Sequence, residues 1–127
     1  MIVLDASALI ALIKDEPGAD VVAREATGND AIISSVNYAE TLQKAATVGV
    51  TAEDVDAALE GLGITVSPFG RLDARLAASF FRAGSNLSLA DRVCLALARS
   101  LSSPVYTADR PWQAWADDLG VEVRLIR

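Results

Sequence analysis

Short apolar runs recur along this chain at intervals too wide for hairpins, and that spacing constrains the fold more than any other feature. Residues 2–5, 31–34, 64–67, 105–107 and 122–126 each read as a short strand. Between them lie stretches of helical spacing at 7–14, 19–26, 36–47, 51–62, 71–83, 89–101 and 111–119. Antiparallel strands can be joined by two residues, whereas parallel strands need a crossover of roughly a dozen or more, usually a helix. The pattern therefore predicts an α/β fold: a central parallel sheet of about five short strands flanked by helices on both faces. At 127 residues the whole span 1–127 is expected to form one domain.

Local signals sharpen the boundaries. Pro17 and Gly18 break the first helical stretch into two. Ser34 or Ser35 is placed to start the helix at 36–47, whose apolar stripe is read as Val36, Ala39 and Ala46. Thr51 with Asp54, and Ser88 with Asp91, have capping-box spacing. In the helix at 71–83, Leu72, Leu76, Ser79 and Phe80 fall at core spacing.

Composition removes whole classes of chemistry. The chain has no histidine, which excludes the commonest general base, the commonest zinc ligand and every Ser-His or Cys-His nucleophile. Its single cysteine, Cys94, lies in an apolar run and is expected to be a buried thiol in a reducing compartment rather than half of a disulfide. The longest stretch without a charge is residues 61–70, too short to span a membrane, and no basic segment precedes the first strand. A cytoplasmic protein without a membrane segment is the expectation. The net charge of −6 argues against a generic nucleic-acid binder. Residues 71–110, however, carry six arginines against three aspartates, enough for a local phosphate-binding surface.

Four acids stand where strands end or helices begin: Asp5, Glu40, Asp91 and Asp109. Ligands of parallel sheets bind outside the carboxyl ends of the strands, where Asp5 and Asp109 fall. Gathered together, such charges repel by about 3 kcal/mol per pair at about 5 Å and an effective dielectric near 20, so a cluster must protonate or capture a cation. Carboxylates suit Mg²⁺ or Mn²⁺. Each acid also has a plainer reading. Asp5, Asp91 and Asp109 could cap helices, and Glu40 could pair with Lys44 one turn later. Ser7 and Thr107 could add hydroxyls to the same cleft, and Asn37 could orient Glu40 or a water. Arg92 and Arg110, each beside a site aspartate, could face phosphate or turn into structural pairs.

Residues 2–9 (IVLDASAL), 34–40 (SSVNYAE), 87–98 (LSLADRVCLALA) and 105–112 (VYTADRPW) together resemble PIN-domain ribonucleases, more narrowly the VapC-type toxins of toxin–antitoxin pairs. The resemblance implies a metal-dependent endoribonuclease in which Asp5, Glu40, Asp91 and Asp109 are catalytic, with Ser7 and Thr107 in support. Asp5, Asp91 and Asp109 would bind Mg²⁺ or Mn²⁺, and Glu40 would either hold a second ion or orient the attacking water. It further implies an RNA substrate, a homodimer, and a cognate antitoxin protein that blocks the acidic cleft. Alternatives are a PIN-fold RNA-processing nuclease that is not a toxin, and a non-catalytic, receiver-like binding domain. A receiver domain needs a late lysine, but the only lysines are Lys14 and Lys44. An aspartyl phosphatase would need a second aspartate at position 7, where Ser7 stands.

Overall fold

The computed structural model describes all residues from 1 to 127. β1 (Ile2–Leu4) leads into α1 (Ala6–Lys14) and α2 (Ala19–Gly28); β2 (Ala31–Ser34) leads into α3 (Ser35–Ala46) and α4 (Ala52–Gly61). β3 (Ile64–Ser67) is followed by α5 (Arg71–Ser79) and α6 (Leu89–Ser100). β4 (Val105–Thr107), a 3-10 helix (Arg110–Trp115), α7 (Ala116–Leu119) and β5 (Val123–Leu125) complete the chain. The five strands form one parallel sheet in the order β3-β2-β1-β4-β5. From β1 the chain winds outward through β2 to β3, then crosses back and winds the other way through β4 to β5. The strand order thus reverses between β1 and β4, and the crevice at their carboxyl ends is where such sheets bind ligands.

Strand alternation sorts the core into two layers. Ile2, Leu4, Ile33 and Tyr106 pack with Leu9, Val22, Val55 and Leu59 beneath α1, α2 and α4. Val3, Val105 and Val123 pack with Phe80, Leu95, Trp112 and Leu119 on the opposite face. The two capping boxes form as expected, on α4 with Thr51 and Asp54 and on α6 with Ser88 and Asp91. The C-terminus is clasped in place. Ile126 is buried and donates its N–H to Thr107 O at 3.0 Å, while Arg127 Nη1 donates to Pro17 O at 2.8 Å.

Four local expectations require correction. α5 ends at Ser79 rather than residue 83, because Arg82 folds back and donates to the Ser79 and Phe81 carbonyls that a continued helix would use. Its buried face is Ala77 and the capping Phe80; Leu72 is 77% exposed and Ser79 is exposed, so neither belongs to the core. The buried stripe of α3 is Asn37, Thr41 and Ala45, whereas Ala39 and Ala46 face solvent. The segment expected as a helix at 111–119 divides into the 3-10 helix and α7. In a 3-10 helix residues i and i+3 eclipse, which sets Trp112 and Trp115 on one inward side.

Candidate functional site

The site is built from Asp5, which directly follows β1 and is only 5% exposed. Every donor it receives converges on one oxygen. Ser7 Oγ donates to Asp5 Oδ2 at 2.7 Å, Thr107 Oγ1 donates to the same atom at 2.9 Å, and the Ser7 N–H approaches it at 3.4 Å. Each hydroxyl spends its single proton there and accepts a backbone N–H in return: Ala108 N donates to Ser7 Oγ at 2.9 Å, and Asp109 N to Thr107 Oγ1 at 3.0 Å. With both protons so used, the 3.2 Å Ser7–Thr107 contact is left as packing. This network ties β1 and α1 to the end of β4 and fixes the carboxylate plane. Asp5 Oδ1 receives no donor from the protein. Burial raises the Asp5 pKa above its usual value; the two hydroxyls oppose this, and the charges of Asp91 and Glu40 add to it.

Glu40 stands on α3 and is half-buried. No ion pair with Lys44 forms; Glu40 Oε1 instead accepts from Asn37 Nδ2 at 3.1 Å. The same amide donates to Ala90 O at 3.1 Å, which pins α3 to the first turn of α6 one residue before Asp91. Asn37 is fully buried, and its Oδ1 has no partner. Asp91 does cap its helix, with Ser88 N donating to Oδ2 at 2.9 Å. One oxygen is thereby committed and the other left open. Asp109 precedes the 3-10 helix without capping it by side chain. Its pKa is raised, first by burial and then by the Asp91 charge, and lowered by the nearby indole of Trp112.

The acids therefore sense one another in pairs, Asp5 with Asp91 and Glu40, and Asp109 with Asp91. None takes part in an ion pair. No three His, Cys, Asp or Glu side chains stand close enough together to hold an ion as they are, a spread that like charges favour. The donor set fits a hard divalent cation: it is all oxygen and uncompensated, with Asp5 Oδ1 free of donors. Cys94 is no competitor, because burial and the charges of Asp5, Asp91 and Glu40 push its thiol pKa well up. The two arginines are less tied to the edge. Arg92 lies over the Phe81 ring at 5.4 Å and Arg110 is exposed, and neither pairs with an acid.

Thr107→Val tests the network, since it keeps the shape of the side chain and removes the hydroxyl. Asp5 Oδ2 loses a donor and the Asp109 N–H loses its acceptor, both in a buried setting. A loss of about 1–3 kcal/mol in urea unfolding is expected. An unchanged midpoint would show that the hydroxyl contributes nothing there.

Sequence reading missed two participants. The Ala90 carbonyl bonds Asn37 across 53 positions, which no local pattern reveals. Trp112 carries the signal of its spacing, three residues after Asp109 on a 3-10 turn.

Comparison with known proteins agrees with this architecture. The chain is similar to a toxin–antitoxin complex from Klebsiella pneumoniae, with TM-score 0.74 and 20% identity over 100% of this chain and 98% of that one. It is similar to DNA-bound VapBC from Salmonella typhimurium, with TM-score 0.71 and 18% identity over 99% and 98%. FitAcB from Neisseria gonorrhoeae gives TM-score 0.66 and 24% identity over 97% and 96%. At these identities the likeness is one of fold. No curated protein matches the chain. The PIN domain family model matches residues 2–117, a span that runs from β1 into α7 and takes in all four acids. That match, over most of the chain, places it in the PIN domain family.

Proposed function

We propose that this protein is a divalent-metal-dependent endoribonuclease and the toxin of a toxin–antitoxin pair. The observation that carries the nuclease reading is Asp5: a buried carboxylate at the sheet's switch point, one oxygen held by three donors and the other by none, beside acids with no basic partner. Asp5, Asp91 and Asp109 would hold Mg²⁺ or Mn²⁺, and Glu40, held by Asn37, would complete a second ion's shell or orient the attacking water. A bound divalent cation makes water more acidic and stabilises charge developing on phosphate oxygens. The chain's own residues do the rest. Ser7 and Thr107 immobilise Asp5 and favour its ionised form, and Asn37 sets Glu40 and the start of α6 at a fixed spacing. Arg92 and Arg110 would take the phosphate backbone of RNA.

The toxin reading is supported by solved structures of similar fold, one described as a toxin–antitoxin complex and others as VapBC and FitAcB. On that reading an antitoxin covers the acidic crevice, and the protein acts in the cytoplasm. No helix is long and apolar enough to cross a membrane. Exposed apolar side chains around α5, namely Phe69, Leu72, Phe81 and Leu89, suit pairing with a second copy of the chain.

Asp91→Asn and Asp109→Asn remove ligand charge and keep side-chain volume. Each is expected to reduce cleavage of RNA by about two orders of magnitude or more while the melting curve stays cooperative, and chelation with EDTA is expected to stop the wild type. Asparagine would serve as well as aspartate if Asp91 were only a cap. Full activity in both variants would overturn the assignment. Growth that continues normally during expression of active protein would instead favour an RNA-processing nuclease.

A further inference from the structure

Only three buried side-chain polar atoms lack a hydrogen-bond partner: Asn37 Oδ1, Arg92 Nε and Trp112 Nε1. Each belongs to a residue one step or one turn from a site acid, Glu40, Asp91 and Asp109 respectively. Asn37 has two other hydrogen bonds, and Arg92 lies over Phe81. Trp112 is different. It is the largest fully buried side chain, 1% exposed, and the only polar atom of that side chain is unpaired. A buried donor left unmade costs about 1–3 kcal/mol, and buried tryptophans usually find an acceptor.

A candidate acceptor is built into the same turn. Trp112 N donates to Asp109 O at 3.2 Å, which closes the first turn of the 3-10 helix onto Asp109. The Asp109 carboxylate does not cap the helix it precedes, and it joins no ion pair. The indole nonetheless reaches this carboxylate as a donor that lowers its pKa, although no well-formed hydrogen bond closes between them.

We propose that Trp112 is a positioning residue for Asp109: its indole N–H would hold one carboxylate oxygen and leave the other for the divalent cation that Asp5, Asp91 and Asp109 would bind. Outer hydrogen bonds of this kind orient metal ligands, and losing one typically weakens metal affinity about 10–100-fold. The inference rests on the metal-site reading above and assigns Trp112 a part in it beyond core packing.

The test uses the indole N–H itself. Trp112 and Trp115 give two indole signals in ¹⁵N-labelled full-length protein, assigned with Trp115→Phe. Addition of Mg²⁺ is expected to move the Trp112 indole proton downfield and slow its exchange with solvent, and Asp109→Ala is expected to abolish that response. Trp112→Phe, which keeps an aromatic core and removes the N–H, is expected to weaken Mg²⁺ binding by calorimetry roughly tenfold or more. If Mg²⁺ binds the wild type while the Trp112 signal stays fixed, the inference fails and the metal site stands. If Trp112→Phe folds and binds Mg²⁺ as tightly as the wild type, the inference likewise fails. If the wild type binds no Mg²⁺ at all, both fail together. The wild-type spectrum decides the matter even if Trp112→Phe does not fold.

Discussion

Asp5→Asn is expected to abolish RNA cleavage and, in protein stripped of metal with EDTA, to raise the melting temperature at neutral pH by a few degrees. The two effects share one cause. Asp5 is buried, has no cation beside it, and is pushed above the usual 3.8 first by desolvation and further by the charges of Asp91 and Glu40. Between that ordinary value and the raised one, the folded protein binds a proton that the unfolded chain does not. Stability is therefore lost as pH rises through this window, and above it the full cost of a buried charge is present. Asparagine removes the charge and still offers Ser7 and Thr107 an acceptor. The gain over wild type should thus be largest at neutral pH and vanish below the unfolded value, where Asp5 is neutral in both states. About 1 kcal/mol corresponds to roughly 2–8 °C for domains of this size range. Calorimetric melts across pH decide it: a variant less stable than wild type at neutral pH, or a difference independent of pH, would contradict the account. A site that lowers stability in return for chemistry is a common compromise in enzymes.

Gly18→Ala is expected to be among the most destabilising single changes on the surface of this protein. Gly18 precedes α2 with φ of +97°, a conformation that L side chains rarely adopt. A Cβ built there would lie 2.7 Å from the Ile126 carbonyl oxygen and 2.8 Å from its Cγ1. Relief requires moving the C-terminal strap, which carries the buried Ile126 and the Arg127 bond to Pro17. Backbone strain and loss of that packing together are expected to cost about 3 kcal/mol or more, against about 1 kcal/mol for a typical substitution. Urea unfolding measures the loss directly. A variant within about 0.5 kcal/mol of wild type would mean that the C-terminus is not held against this turn.

Much of this architecture was legible because its strands are short, apolar and separated by helices, and a parallel sheet leaves few other ways to join them. The capping boxes at Thr51 and Ser88 were legible for the same reason: their partners lie three residues away. What failed was judging which apolar residues face inward. Leu72 is as hydrophobic as any core residue yet 77% exposed, so periodicity alone carried α5 past its true end. On α3 the reverse holds, since two polar residues, Asn37 and Thr41, occupy the buried face. Their polarity is satisfied by contacts that sequence could not show, the Ala90 carbonyl for Asn37 and the Asn37 carbonyl for Thr41. The candidate site divides similarly. The four acids were legible as a set by type and position. Whether each was a cap depended on geometry, which returned different answers: Asp5 caps α1 and Asp91 caps α6, each with one oxygen, Asp109 does not cap, and Glu40 bonds Asn37 rather than Lys44. The hydroxyl network joins Ser7 and Thr107 across 100 positions, and only the parallel pairing of β1 with β4 brings them together.

The chemistry of the cut ends tests metal-dependent hydrolysis most directly. Ribonucleases that recruit the substrate's 2′-hydroxyl usually need a base titrating near neutrality, and this chain has no histidine to provide one. Purified protein, a short synthetic RNA and Mn²⁺ would be analysed by mass spectrometry, alongside the same RNA carrying a single 2′-deoxy sugar at the cleavage position. The expected products are a 5′-phosphate and a 3′-hydroxyl, formed from both substrates and absent in EDTA. A 2′,3′-cyclic phosphate as the main product, or cleavage that persists in EDTA, would contradict the proposed mechanism even with the fold and the four acids in place.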